Sequence, residues 1–279
     1  QMLLLDAGIN WDLLSNFNSL RYNDITEFSN VNSNEFILKN RFGIQVFNNN
    51  NPALYSFNHV RYQKYFYAYL YIDLFDDKNH SQNYFYSNNK TLTSSLNSTG
   101  LKYSGFGFQN DWVTLQISKG VESWGSGDNI ELALSRDSES YEYFMLGSDY
   151  GNIRVSFIFG YLETTNQLIT AFRNEAPTII NNNNENVNRY ITCRGIEWTN
   201  NKSFILGFSE IVIYSGVNRL IDFGYLNPIS SHLEVELNDR LNVNGDGNAN
   251  AVWQMHLDWL IKNRIRVSYN HLFDEVVID

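Results

Sequence analysis

From Ala251 to Ile261 the chain alternates without a break. Ala251, Trp253, Met255, Leu257, Trp259 and Ile261 take the odd positions, with Gln254, His256 and Asp258 between them. A period of two puts the two sets of side chains on opposite faces of a β-strand, whereas a helix would spread both around its circumference. Lys262-Asn263 then makes a tight turn, after which Ile265, Val267, Tyr269 and Phe273 alternate with Arg264, Arg266, Ser268, Asn270 and Asp274. The two runs form one hairpin with an apolar face and a polar face.

The same pattern recurs upstream. Ile153, Val155, Phe157, Phe159 and Tyr161 alternate with Arg154, Ser156 and Gly160, and Val113, Leu115 and Ile117 alternate with Thr114, Gln116 and Ser118. Phe66, Ala68, Leu70, Ile72 and Leu74 alternate with Tyr65, Tyr67, Tyr69, Tyr71 and Asp73, which predicts one aliphatic face and one lined with tyrosine hydroxyls. Counting such runs gives about eleven strands, over 2–11, 36–47, 60–75, 98–109, 112–119, 141–148, 152–162, 188–198, 203–214, 249–261 and 264–275.

Connection lengths narrow the architecture. Short turns at Asn110-Asp111, Asp149 to Gly151, Thr199 to Lys202 and Lys262-Asn263 alternate with long loops over about 120–140, 163–187 and 215–248. A transmembrane barrel has this asymmetry, with short turns at one end, long loops at the other, and strands of about ten residues alternating apolar-out and polar-in. A soluble sandwich has no reason to gather its long loops at one end. Trp198, Tyr214, Trp253 and Tyr269 near strand ends suit aromatic girdles, and suit ordinary sheet packing equally. The expected fold is therefore all-β: a single-domain antiparallel transmembrane β-barrel, in contact with outer-membrane lipid.

An odd strand count does not close an antiparallel barrel in the usual way. The chain is accordingly expected to cover only part of the barrel, with a leader and further strands outside it. Its opening, QMLLLDAGIN, has neither the basic start nor the apolar length of a signal peptide. Residues 228–238, PISSHLEVELN, predict a short helix beginning at the proline and folding into the barrel mouth.

Composition removes several function classes. With 20 basic against 30 acidic residues the net charge is -10, the wrong sign for a surface that binds nucleic acid through its phosphates. The single cysteine, Cys193, excludes an intrachain disulfide. The five histidines show no ligand spacing, and no metal or cofactor motif stands out. Asn242, Asn244, Asp246 and Gly247 imitate the start of a calcium loop, but Trp253 stands where a bidentate Glu is required, so these residues read as a turn-rich loop. No nucleophile and base lie at short range, and Asp76-Asp77 are adjacent loop residues. The chain is not read as an enzyme.

Five segments carry a family resemblance: SKGVESWGSGDNIELALS (118–135), NRYITCRGIEW (188–198), LGFSEIVIYSG (206–216), YLNP (225–228) and the closing strand pair to Asp274. In this order they resemble successive landmarks of the Wzi-type capsule-assembly outer-membrane family, over about 118–275, while residues 1–100 share only strand character. The resemblance implies a large bacterial outer-membrane barrel that acts as a lectin, holding capsular or extracellular polysaccharide at the cell surface without catalysing a reaction. Two positions depart from the pattern. Ser126 stands where relatives often have Pro, and Glu122 where a basic residue is expected, so a sugar contact does not carry over to Glu122.

The residues offer several candidate contacts. Trp124, followed by Gly125 and Gly127 in a long loop, reads either as a sugar-stacking platform or as an anchor that plugs the barrel mouth. Arg194 and Glu210 lie on sequential strands and pair across the lumen or brace its wall. A carboxylate toward lipid is costly, which pushes Glu210 inward, although Phe204, Leu206 and Phe208 share its parity. Tyr65, Tyr67, Tyr69 and Tyr71 line a carbohydrate track or pack the interior. Arg154, Arg194 and Arg266 are expected to face the lumen and attract an acidic polymer. Parity also places Leu257 toward lipid and His256 toward the lumen, where an arginine is expected to be tolerated. The rival reading is a porin-type channel for small solutes.

Overall fold

A computed structural model describes residues 17–18, 36–46, 52–63, 65–75, 98–127, 132–134, 138, 140–165, 167–170, 178–181, 187–237, 248–262 and 264–274. The expected strand over 2–11, the calcium-like residues at 242–247 and Asp76-Asp77 fall outside them.

The alternating runs become β2 (Phe36–Val46), β3 (Pro52–Tyr62), β4 (Phe66–Phe75), β5 (Ser98–Gln109), β6 (Val113–Gly120), β8 (Tyr141–Asp149), β9 (Ile153–Thr165), β12 (Val187–Thr199), β13 (Phe204–Val217), β14 (Asn248–Ile261) and β15 (Ile265–Phe273). Each pairs antiparallel with the next, giving one eleven-stranded meander in that order. Among the described residues β2 and β15 have one partner each, so the sheet has two edges. Two small ladders lie outside it: β1 (Phe17–Asn18) with β7 (Ser123–Trp124), and β10 (Gln167–Thr170) with β11 (Thr178–Asn181). Residues 163–187, expected as a plain loop, thus carry a hairpin. Two short helices, α1 (Phe223–Leu226) and α2 (His232–Leu237), follow β13.

The expected strand at 60–75 is two strands. The turn between β3 and β4 contains no Gly, Pro, Asn or Asp, and Gln63 takes the positive φ of 54° instead. The other short turns carry the signals that make turns legible. The Asn110 side-chain oxygen accepts from the backbone N–H groups of Trp112 and Val113 at 3.0 and 2.7 Å. That of Asn200 accepts from Lys202, Ser203 and Phe204 at 3.0, 2.8 and 3.0 Å. All these turns join strands at one end of the sheet, and β6 to β8, β9 to β12 and β13 to β14 are joined at the other.

Register fixes what each face carries. One cross-strand row runs Phe36, Tyr62, Phe66, Phe108, Leu115, Leu146, Phe157, Arg194, Glu210, Trp253, Phe273 through all eleven strands. It is apolar except for one Arg–Glu pair. The opposite face carries Lys39, His59, Tyr69, Gln116, Arg154, Glu197, His256 and Asp258.

The sheet curls toward this polar face. Ser126, six residues beyond the end of β6, donates its backbone N–H to the Asn270 side-chain oxygen on β15 at 2.8 Å. Six extended residues reach about 20 to 22 Å. On a flat sheet the six inter-strand steps from β6 to β15 measure about 28 to 29 Å. The contact therefore requires the polar face to be concave.

Each face has its own core at the long-loop end. On the concave side Trp124 and Leu134, from the segment between β6 and β8, pack against Tyr141, Tyr143, Met145, Ile158, Ile191, Cys193 and Ile211. On the convex side Tyr225 and Val235 pack against Tyr190, Val212, Tyr214 and Ala251. The helix predicted within 228–238 is present as α2, but it lies on the convex face and not in the barrel mouth. Ser231, rather than Pro228, caps it, its hydroxyl accepting from the Glu234 N–H at 3.2 Å.

Candidate functional site: the concave face

The segment entering the concavity is held at three points. Glu122 accepts the Tyr143 hydroxyl at 2.6 Å. Tyr143 in turn receives a side-chain N–H from Gln116, which also bonds Tyr67 and Tyr69. Gln254 holds both strands of the segment, donating to the Trp124 carbonyl and accepting from the Ala133 N–H, each at 3.0 Å. Asn270 donates to the Ser126 carbonyl at 2.7 Å and accepts its N–H. Gly125, at φ 136°, supplies a backbone conformation that other residues rarely adopt.

Trp124 itself is 0% exposed. No ring face is open for a sugar, so the geometry gives it the anchoring role and not that of a stacking platform. Tyr67 and Tyr69 do face the concavity, as expected, but they too are buried, their hydroxyls tied to Gln116.

Toward the short turns the concave face is laced with charge pairs. Arg154 contacts Asp149 at 3.0 Å. Arg266 contacts Asp258 through its Nε at 2.8 Å and its terminal nitrogen. His256 and Glu197, both fully buried, meet at 2.9 Å. They lie on β14 and β12 with Gly207 of β13 between them, and a Cβ at Gly207 would overlap the imidazole. The glycine is what permits this two-strand reach. The expected tolerance of arginine at position 256 is therefore corrected, because that side chain is sealed against a buried carboxylate.

Arg194 and Glu210 are corrected more deeply. They pair as expected, at 2.8 Å, but on the convex face and not in the lumen. The ladder runs through Glu210 without a bulge, so it keeps the parity of Phe204, Leu206 and Phe208. The pair lies under a cover. Arg194 donates to the carbonyls of Tyr225 and Asn227 at 2.9 and 3.2 Å, and Glu210 accepts from the His232 N–H and the Trp253 indole at 3.0 Å each. Tyr214, expected in an aromatic girdle, is likewise buried, stacked between Tyr190 and Tyr225 with centroids 5.0 and 4.6 Å away. Trp253, expected there too, is half-buried on Glu210.

Sequence reading missed a basic group on the concave face. Lys39 and Arg41 on β2 are exposed, and His59 and Arg61 on β3 share their face, with Lys39 opposite His59 and Arg41 opposite Phe57. Beside them Tyr71 forms an aromatic cluster with Tyr55, Phe57 and Tyr103, with ring centroids 6.0 to 6.4 Å apart. Half of this signal was legible, since Lys39 and Arg41 alternate with Phe36, Leu38, Phe42 and Ile44. The other half was lost when β3 was merged with β4. Among the described residues no group of three or more His, Cys, Asp or Glu side chains is arranged to hold a metal ion.

Compared with protein families, curated proteins and solved structures, the chain finds no match.

Proposed function

We propose that the sheet is the wall of a Wzi-type outer-membrane β-barrel and that its concave face holds capsular or extracellular polysaccharide. The observation that carries this reading is the inverted polarity of the sheet. Its charged and hydrogen-bonding side chains line the concavity, while Phe42, Phe106, Ile117, Ile196 and Phe208 stand exposed on the convex side. A soluble sheet buries its apolar face; one solvated by acyl chains exposes it. Trp112, Tyr150, Trp198 and Trp259 are exposed at the short-turn end, where a barrel carries an interfacial aromatic girdle.

Within the concavity Lys39, Arg41 and Arg61 with the Tyr55–Phe57–Tyr71 cluster supply what an acidic polysaccharide needs: cations for its carboxylates and ring faces for its sugars. Arg266 is a further cation, only partly covered by Asp258. Loss of the protein should release polymer into the medium without stopping its synthesis. Lys39→Gln with Arg41→Gln should lower retention several-fold in a barrel that still assembles. The porin reading expects steady ion conductance in planar bilayers and unchanged retention, and that pair of results would replace the lectin reading.

A further inference from the structure

We infer that residues 218–237 form a lipid-facing patch that replaces the barrel wall over the Arg194–Glu210 pair and sits among acyl chains near the long-loop boundary of the bilayer. This rests on the membrane reading above. The pair lies mid-strand, in a row otherwise built of aromatic and aliphatic side chains, and an uncovered ion pair at that depth faces a heavy desolvation cost. The segment meets it with backbone groups of its own, through Tyr225, Asn227 and His232.

Its charged side chains between 218 and 235 also turn toward the sheet or one another, and Asn218 and Asn227 are exposed. Arg219 lies over the Tyr214 ring at 4.7 Å and donates to the Ser215 carbonyl at 3.0 Å. The Asp222 side chain caps α1 at the Gly224 N–H, and Tyr225 and His232 hydrogen-bond at 2.9 Å. Glu234 accepts from the Ser230 hydroxyl at 2.6 Å. Large apolar side chains dominate the exposed surface, with Phe223 81% and Ile229 89% exposed and Leu220, Ile221 and Leu233 exposed as well. No charged residue is in the exposed class between 218 and 235. A loop meeting water has the reverse distribution, and a dense exposed apolar patch marks an interaction surface. Exposed Ile196 and Phe208 lie on the same convex face, two residues along β12 and β13 from the pair that the segment covers, which points to the same acyl chains as its partner.

The test uses single cysteines at Phe223, Ile229, Leu206 on the wall and Arg266 on the concave face, each labelled with bimane in the full chain. Native Cys193 is buried and stays unlabelled. The proteins are reconstituted into phosphatidylcholine vesicles containing nitroxide-labelled lipid, after each variant is shown to migrate as a folded barrel. Emission should be quenched at Phe223 and Ile229 by at least half as much as at Leu206, and barely at Arg266. Quenching at Leu206 with none at Phe223 and Ile229 would overturn the patch, with water or a second copy of the chain as its cover, and leave the membrane reading standing. No quenching at any site would remove the membrane reading and the patch with it.

Discussion

Replacing Arg194 by Met isolates what fastens 218–237 to the sheet. The substitution removes the 2.8 Å ion pair and both donations to the segment's carbonyls, and leaves the Glu210 carboxylate 7% exposed without its counter-charge. Breaking a buried pair from one side costs about 3 to 5 kcal/mol. The hydrogen bonds to charged groups, about 1.5 to 3 kcal/mol each, overlap with that figure and are not added to it. The loss should fall on the segment and not on the ladder, whose backbone bonds do not involve Arg194's side chain. Amide hydrogen exchange reads this directly: amides at 223–237 should lose roughly two to three and a half orders of magnitude of protection, while β12, β13 and β14 change little. Adding Glu210→Leu removes the stranded charge, leaving the His232 N–H and Trp253 indole without that acceptor and the Tyr225 and Asn227 carbonyls without the Arg194 donor, about 1 to 3 kcal/mol each. The double variant should therefore keep more protection than Arg194→Met plus Glu210→Leu effects summed. Additive losses, or equal losses in ladder and segment, would refute the reasoning.

Gly207→Ala should push the His256 ring off Glu197 and break their buried hydrogen bond, costing about 1.5 to 3 kcal/mol in urea unfolding. The same substitution in a His256→Ala background should cost far less, and equal costs in the two backgrounds would mean that the glycine serves something else. Phe208→Arg, on the convex face level with Ile196 and Met255, should impair refolding into vesicles by about 2 to 4 kcal/mol, and Leu257→Arg, level with Trp198 nearer the turns, by less. Ser268→Arg, on the concave face opposite Asp258, should stay within about half a kcal/mol. A reversed order among the three would mean that the faces are assigned wrongly.

What the sequence determined was local. Period-two alternation located β14 and β15 to within two residues, because side-chain direction in a strand depends only on position. Asn110, Asp149 and Asn200 marked their turns because an Asx side chain bonds backbone a few residues on, and Gln63 left its turn silent because nothing in its chemistry demands φ 54°. Parity placed Arg154, Arg266, Tyr67 and Tyr69 on the concave face correctly for the same local reason. Only the tertiary structure decided what covers each face. Arg194 and Glu210 read as lumen residues because charge facing lipid is costly; in the structure they lie on the convex face under the segment that follows β13, and no pattern around position 194 or 210 encodes that contact. Trp124 is a loop anchor and not an open ring because a curled sheet brings residues of β8, β9, β12 and β13 around it at once. Burial is a property of the assembled surface, set by chain segments far apart in sequence, and alternation tells only which side a residue faces, never what waits there.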